Sequence, residues 1–275
     1  MTRINDLLQQ RYGHAPDTLA HADGAAGAVI EQLLAHRSVR AFLDTPLPAG
    51  TLETLVAAAQ SAASSSNLQT WSVVAVRDAE RKSRLSEWCG QQAHIRQVPL
   101  FLVWVADLSR LHRTADRLGR RADANRFLEM FLVAAVDASL AAQNAVLAAE
   151  ALGLGTVYIG ALRNHADAVA AELALPPLAF PLFGLCVGHP DPSRPAAIKP
   201  RLSPSTVLHH ERYDAAGEAA AVADYDELIQ AFQRSQGMPP LPWSAQATQR
   251  VATAQSLSGR DRLAHWLRAQ GFGLE

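Results

Sequence analysis

Two short basic segments, far apart in the sequence, carry residue types that bind anions. The first reads HRSVR at positions 36–40, and the second reads KPR at positions 199–201. Arginine offers a planar fork of N–H donors that matches a phosphate, and a serine hydroxyl adds another donor. The proline between two cations keeps the second segment extended, so both charged heads can reach one anion. Either segment on its own is typical of a solvated basic loop, but together they predict a clamp for one phosphate.

A second candidate is the glycine-bearing stretch GLGTVYIG at positions 153–160. It contains G-x-G without the third glycine of a dinucleotide fingerprint, and it follows a helix and opens a strand, the reverse of the Rossmann order. The stretch therefore argues against a dinucleotide fold. The first two glycines are predicted to end a helix and start a strand. Gly160, at the end of that strand, is a place where backbone can approach a ligand closely.

Other reactive residue types form no recognisable catalytic or metal site. The serines at 64–66 lack the G-x-S-x-G elbow of a hydrolase, so they are predicted to form a loop or a hydrogen-bonding rim for a ligand. Neither His209-His210 nor the pair Cys186 and His189 has partners at zinc spacing, so no metal is expected. Cys89 and Cys186 are expected to be buried free thiols in a reducing cytosol.

Composition excludes several broad classes of protein. The chain has 275 residues, a formal net charge of -1, 49% hydrophobic residues and 19% charged residues, which is typical of a globular protein without a basic field for nucleic acid. Residues 1–13 lack the apolar core of a signal peptide. The apolar stretch 127–154 contains Glu129, Asp137 and Glu150, which favours a buried helix over a membrane span. We therefore expect a cytoplasmic protein that binds neither nucleic acid nor membrane.

The pattern of apolar residues predicts a mixture of helices and buried strands, hence an α/β or α+β fold. Strands are expected at 71–76, 99–106, 156–159 and 180–187. Helices are expected at about 4–12, 26–35, 49–62, 78–88, 125–152, 164–173, 214–234 and 259–270, with a linker at 14–24. No composition shift divides the remainder of the chain.

Taken in order, these motifs resemble the nitroreductase family, specifically its oxygen-insensitive, NADPH-using nitroreductase and flavin reductase branch. The resemblance covers about residues 27 to 213, and the C-terminal region follows more loosely. The matching stretches are HRSVR at 36–40, ASSSNLQ at 63–69, GQQAH at 90–94, AQNAVLAAEALGLGTVYIGALR at 142–163, PLFGLCVGH at 181–189 and KPRL at 199–202.

The resemblance implies a homodimer of α+β subunits, each with a mixed central sheet wrapped by helices and a long helix in the dimer core. Two FMN molecules would bind at the subunit interface. Residues 1–25 would then be an N-terminal extension, and residues 26–275 a single FMN-binding domain with a helical C-terminal excursion.

The resemblance also implies a role for each matched residue. The FMN phosphate would be held by His36, Arg37, Ser38, Lys199 and Arg201. Arg40 would lie near the pyrimidine edge of the flavin ring, and Gln92 would reach the ring or the substrate. The partner subunit would contribute the serine loop with Ser64, Ser65, Ser66 and Gln69. The backbone of Tyr158, Ile159 and Gly160 would line the N5 edge.

The implied reaction is a ping-pong transfer of two electrons. NADPH or NADH would pass hydride to flavin N5, and a nitroaromatic, a quinone or a related electron-poor acceptor would then take it. The cofactor carries this chemistry, so no protein group is expected to be catalytic. Two alternatives stay open: a flavin reductase that supplies reduced FMN to a partner, and a non-catalytic flavin-binding sensor or carrier.

Three departures from the family pattern affect the pocket for substrate and NAD(P)H. Asn67 stands where the branch often has an aromatic residue, and Ala161 stands where a second glycine is common. The segment GMPPLP at 237–242, before Trp243-Ser244, lacks the arginines with which NADPH-using members bind the 2′-phosphate. Arg234 and Arg260 remain candidates for that contact.

This last departure predicts weak coenzyme selectivity. A charge-assisted hydrogen bond contributes about 1.5–3 kcal/mol, so without such bonds to the 2′-phosphate the preference for NADPH should stay below about tenfold. The measurement is kcat/KM for NADPH and for NADH under the same conditions. A strong NADPH preference would contradict the prediction.

Overall fold

The computed structural model describes residues 3–13 and 24–275. The helices, in chain order, are α1 Arg3–Tyr12, α2 Gly24–Leu34, α3 Thr51–Gln60, α4 Ala79–Trp88, α5 Ala93–Gln97, α6 Ser109–Arg117, α7 Leu128–Ala151, α8 Ala166–Glu172, α9 Pro204–Val207, α10 Glu218–Ser235, α11 Trp243–Arg250 and α12 Leu263–Ala269. The strands are β1 Trp71–Val76, β2 Leu100–Asp107, β3 Gly155–Ile159 and β4 Ala179–Gly188. The predicted linker at 14–24 falls outside the described residues except for Gly24, which begins α2.

The chain divides into two compact units. The first comprises Met1–Arg37 and Ala196–Leu257, and it contains α1, α2, α9, α10 and α11. The second comprises Ser38–Pro195 and Ser258–Glu275, and it contains the four strands and the other seven helices among the described residues. The expectation of an N-terminal extension followed by one domain stays a prediction.

The second unit is built on a four-stranded sheet in the order β1-β2-β4-β3. Each neighbouring pair runs antiparallel. Every residue of β2 is buried, as its continuous run of apolar residues predicts for a strand covered on both faces. The α+β class is confirmed. Among the described residues, the parallel part of the expected mixed sheet is limited to one isolated bridge between Ser38 and Thr156.

Helix α7 packs on the sheet through small residues. Its buried positions include Ala141, Ala145 and Ala149, which form one core with Leu102 of β2 and Leu185 of β4. Alanine side chains let a helix axis approach a sheet closely, so most of this face is alanine. Within the described residues α7 is the one helix long and apolar enough to cross a membrane, but its contacts with the sheet are those of a core helix.

Helices α4 and α8 are joined by one carboxylate. Glu172 at the end of α8 accepts hydrogen bonds from Arg84 Nη2 at 2.8 Å and from Arg81 Nε at 2.9 Å. These bonds, that of Arg84 above all, lower the pKa of Glu172 to about 2. A carboxyl with a depressed folded-state pKa stabilises the fold above its unfolded pKa, and it loses that contribution as the pH falls through its folded pKa.

We therefore expect Glu172→Gln to reduce the pH dependence of stability between the usual glutamate pKa, 4.5, and about 2. The measurement is the urea-unfolding free energy of both proteins across that window. Glu80→Gln is the matched control, because Glu80 is largely exposed and lies 4.0 Å from the Arg84 guanidinium. Equal pH dependence in wild type and Glu172→Gln would contradict the assignment.

Candidate active site

The parts of the two basic segments that lie in the first unit, residues 36–37 and 199–201, are brought together by one buried arginine. Arg11, in the last turn of α1, is 6% exposed. Its guanidinium donates to the carbonyl oxygens of Leu34 at 2.8 Å, His36 at 2.8 Å and Lys199 at 2.9 Å. The backbone N–H of Arg201 donates back to the Arg11 carbonyl at 2.8 Å. His36 and Lys199, which lie 163 positions apart in the sequence, are thus held by one side chain, and we call this set of contacts the Arg11 anchor.

Around this anchor, the arginines of both segments point their charge at solvent. Arg37 is exposed and donates to Ala35 O at 3.1 Å, while the exposed Arg201 donates to the carbonyls of Lys199 and Pro200. Within the part of the chain that the structure describes, neither guanidinium has a carboxylate partner. Each retains N–H donors that these bonds do not use. Such a pair of cations is chemically suited to an anion.

In the second unit, the chain after Arg37 runs beside β3. Ser38 forms its parallel bridge with Thr156, and Val39 N donates to Thr156 O at 2.8 Å. A Cβ on Gly155 would lie 2.8 Å from a Val39 methyl, so glycine is required for this close approach. Because the two segments run parallel, the exposed Arg40 is placed further along β3, toward its end.

The end of β3 presents the predicted ring-contacting residues. Tyr158 is partly exposed, packs edge-on against Phe183 with ring centroids 5.3 Å apart, and donates to Gln143 Oε1 at 3.4 Å. Ile159 is buried, and Gly160 opens a 3₁₀ turn. A Cβ placed on Gly160 would have no neighbour closer than Arg163 Nη2, at 3.6 Å. The backbone at Gly160 is therefore open to a close contact.

The serine loop is organised by a carboxylate from α7. Ser64 Oγ donates to Asp137 Oδ2 at 2.7 Å and accepts from Gln69 N at 2.8 Å, so its hydroxyl is committed within the loop. Ser65 and Ser66 are exposed, and the structure gives their hydroxyls no partner among the described residues. The loop borders a groove of about 730 Å³ that also includes Trp71 of β1.

Two of the candidate amide side chains donate hydrogen bonds to other protein groups. Gln69 Nε2 donates to Asn67 Oδ1 at 3.1 Å, so the two side chains form one polar surface. Both residues have positive φ. Gln92, at the start of α5, donates its amide to Cys89 O at 2.9 Å. The expectation that Gln92 reaches the flavin ring or the substrate stays a prediction. Nearby, burial and then the charge of Arg40 lower the pKa of His94.

The two remaining candidates lie in different units. Arg234 is exposed in the last turn of α10, in the first unit. Arg260 of the second unit donates from Nε to Asn164 Oδ1 at 2.8 Å. Asn164 belongs to the turn that Gly160 opens, so Arg260 is tied to the end of β3.

Sequence reasoning missed three charged residues: Arg11, Asp137 and Arg163. Arg163 donates to Leu182 O, and burial lowers its pKa without a carboxylate to offset it. The signal for Asp137 was present, because a carboxylate within an apolar helix must be satisfied by several donors. Arg11 gave no such signal, since the polar face of a short amphipathic helix normally meets solvent.

Cys89 and Cys186 are both free and buried, as predicted. Burial raises the pKa of Cys89 to about 12 and that of Cys186 further, so neither thiol is a nucleophile at neutral pH. No group of three or more metal-ligating side chains occurs among residues 3–13 and 24–275.

Comparison with known proteins gives a consistent result along most of the chain. Curated relatives include an NADPH-flavin oxidoreductase of Vibrio harveyi, 39% identical over 225 residues, which are 81% of this chain and 90% of the relative. An FMN reductase (NADPH) of Bacillus subtilis is 37% identical over 248 residues, which are 88% of this chain and 97% of the relative.

Solved structures agree with these relatives. NfrA2 of B. megaterium superposes with a TM-score of 0.84 and 36% identity, over 90% of this chain and 98% of that one. The NADPH:FMN oxidoreductase of Vibrio harveyi complexed with NAD+ gives a TM-score of 0.79 and 35% identity, over 90% and 99%. The model of the nitroreductase family matches residues 33–189, and the model of the family's C-terminal domain matches residues 199–275. The chain therefore belongs to the nitroreductase family.

Proposed function

We propose that this protein is an FMN-dependent NAD(P)H oxidoreductase that reduces electron-poor small molecules. The observation that carries the proposal is the Arg11 anchor, which holds exposed cations of two distant segments together with no carboxylate partner for Arg37 or Arg201 among the described residues. The names of the relatives, NADPH-flavin oxidoreductase and FMN reductase, support the FMN phosphate as the anion that these cations bind.

The residues present fit this cofactor. In the first unit, His36, Arg37, Lys199 and Arg201 supply charge-assisted donors for the phosphate. In the second unit, Ser38 follows directly in the chain, and Gly160 offers backbone without a side chain. Arg40 supplies positive charge that favours electron density on the pyrimidine edge of the ring. When bound, FMN supplies the two-electron redox chemistry between NAD(P)H and the acceptor.

The protein groups then act by position rather than as nucleophiles or bases. The exposed hydroxyls of Ser65 and Ser66 and the amides of Asn67 and Gln69 are donors and acceptors on one loop, and Asn67 and Gln69 line the groove. They can hydrogen-bond a flat electron acceptor, and stacking on the flavin places few other requirements on the structure of that acceptor. We propose that donor and acceptor use this surface in turn, in a ping-pong cycle.

Free flavin is a second acceptor that the comparison favours, because two of the relatives are named for reducing it. We propose that free FMN competes with nitroaromatics and quinones for the same surface. Turnover with excess free FMN against turnover with a nitro compound, at equal NADPH, separates a flavin reductase from a nitroreductase.

The proposed assembly is a cytoplasmic homodimer that pairs through α7. Leu128, Leu132, Val136 and Leu140 recur every four residues along this helix and are 45%, 50%, 55% and 44% exposed. A contiguous apolar stripe of this kind marks a protein–protein contact. We expect Val136→Glu to shift the mass measured by light scattering from dimer to monomer. Glu80→Gln, on a distant exposed helix, should leave the mass unchanged.

The decisive experiment on function is a visible spectrum of the purified protein under anaerobic conditions, before and after NADPH is added. We expect a flavin spectrum that bleaches. Persistence of the flavin spectrum with both NADPH and NADH would indicate a sensor or carrier. Absence of flavin, even after incubation with FMN, would overturn the proposal.

Removal of one phosphate contact should weaken cofactor retention. Arg37→Ala loses a charge-assisted bond worth about 1.5–3 kcal/mol, so the Kd for FMN should rise about tenfold to a hundredfold. Fluorescence titration of the apoprotein measures it. Arg117→Ala, at an exposed arginine in the last turn of α6, is the matched control. An unchanged Kd in Arg37→Ala would remove Arg37 from the site.

A further inference from the structure

The centre of α7 contains a carboxylate whose hydrogen bonds all go to one loop. Asp137 is 2% exposed. Its Oδ2 accepts from Ser64 Oγ at 2.7 Å, Thr70 Oγ1 at 3.1 Å and Thr70 N at 3.2 Å, and its Oδ1 accepts from Ser65 N at 3.1 Å. Within the described residues no cation pairs with Asp137. Four donors from residues 64–70 replace the water that a buried carboxylate loses.

The loop held in this way has an unusual backbone. Ser66, Asn67 and Gln69 have φ values of 48°, 53° and 53°, a left-handed region that residues other than glycine rarely adopt. Such conformations persist only where the surroundings over-determine them, and they concentrate at ligand-binding sites. The bonds to Asp137 fix the chain immediately before and after these three residues. The carboxylate therefore fixes a strained segment from both ends.

The same bonds divide the serines by role. The Ser64 hydroxyl donates a hydrogen bond to Asp137 and accepts one from the Gln69 backbone N–H, so it joins both ends of the loop. Ser65 contributes its backbone N–H to Asp137 and keeps its exposed hydroxyl for a ligand. All four hydrogen bonds that Asp137 accepts come from residues 64–70, so within the described residues this carboxylate joins α7 to that loop.

We propose that Asp137 is a positioning residue, which holds residues 65–69 in the shape that contacts the flavin and the electron acceptor. This inference rests on the proposed function, because it requires that the loop meets FMN. Asp137 contacts neither ligand itself and acts through Ser64, Ser65 and Thr70. It thereby sets the affinity for the cofactor and the KM values of the donor and the acceptor, which use the same surface, while the rate of hydride transfer from bound NADPH depends on other residues.

The test is Asp137→Asn, which keeps the volume but places an amide against the N–H and O–H donors. We expect the Kd for FMN and the KM for a quinone acceptor each to rise about tenfold, the effect of losing one such bond to a charged group. The rate of flavin reduction, measured by stopped flow with saturating FMN and saturating NADPH, should stay within about twofold. A fall in that rate with unchanged Kd and KM would overturn the proposal.

A double-mutant cycle with Ser64→Ala shows whether the two residues act as one unit. Residues that share one network are non-additive, so Asp137→Asn/Ser64→Ala should bind FMN no more weakly than Asp137→Asn. Additive losses would contradict the proposed route through Ser64. Ser61→Ala is the matched control, because its exposed hydroxyl donates only to Ala57 O of its own helix.

Two further outcomes keep this inference separate from the proposed function. If the wild-type protein binds no FMN, the proposed function fails. If the wild type binds FMN and Asp137→Asn binds it equally well, only the role of Asp137 fails. Should Asp137→Asn not fold, Thr70→Val removes one of the four donors, and unchanged Kd and KM in both Thr70→Val and Ser64→Ala would overturn the proposal.

Discussion

The second unit depends on the close contact between α7 and the sheet. The 24 residues of α7 pack on the sheet mainly through small side chains, and the buried positions of the helix include Ala138, Ala141, Ala142 and Ala145. That constraint leaves the rest of the helix circumference for other tasks. One side carries the exposed stripe of Leu132, Val136 and Leu140, and beside the alanines lies Asp137. A single helix thus packs the core, anchors the serine loop and offers an apolar surface.

Two buried charged side chains, one in each unit, are each hydrogen-bonded to several neutral groups. Arg11 donates to three backbone carbonyls, and Asp137 accepts from two backbone amides and two hydroxyls. Burying a charged side chain among neutral groups costs desolvation energy that only several hydrogen bonds can offset. The groups that make these bonds are therefore held firmly. In both cases the partners belong to segments that carry candidate ligand contacts. The charge is an internal anchor, and the neighbouring side chains stay available to a ligand.

The sequence predicts the core elements well and the surface elements poorly, for a physical reason. Strand β1 has the predicted bounds, and β2 and β4 differ from theirs by one residue at each end, because continuous apolar runs of strand length have few other solutions. The missed helices α5, α6, α9 and α11 are short, and their apolar positions are too few to reveal a period. Helix α10 begins at Glu218 rather than near 214, because the left-handed backbone of Gly217 cannot be part of a right-handed helix.

The candidate site shows the same limit. Residue types and order were enough to nominate both basic segments and the serine loop, but not to divide the tasks within them. Ser64, Ser65 and Ser66 are identical in type, and only the position of Asp137, 67 residues beyond Thr70, makes one of them structural and leaves two exposed. Short-range patterns cannot contain a partner at that separation. The carboxylate within an apolar helix is only an indirect signal of this contact. It indicates that hydrogen-bond donors must surround the carboxylate, but not which residues supply them.

The position of Asp137 next to Val136 has a thermodynamic consequence for the proposed dimer. Packing of a second copy on the stripe would restrain the helix backbone that carries the carboxylate, and through it the 64–70 loop. Coupling between two binding events is reciprocal, so a dimer contact that favours the flavin-binding shape of the loop must itself be favoured by flavin. Conversely, a variant that loosens the loop should weaken the dimer contact even though it touches no residue of the stripe. In the proposed dimer, cofactor affinity and subunit association therefore both depend on how firmly the backbone of α7 is held.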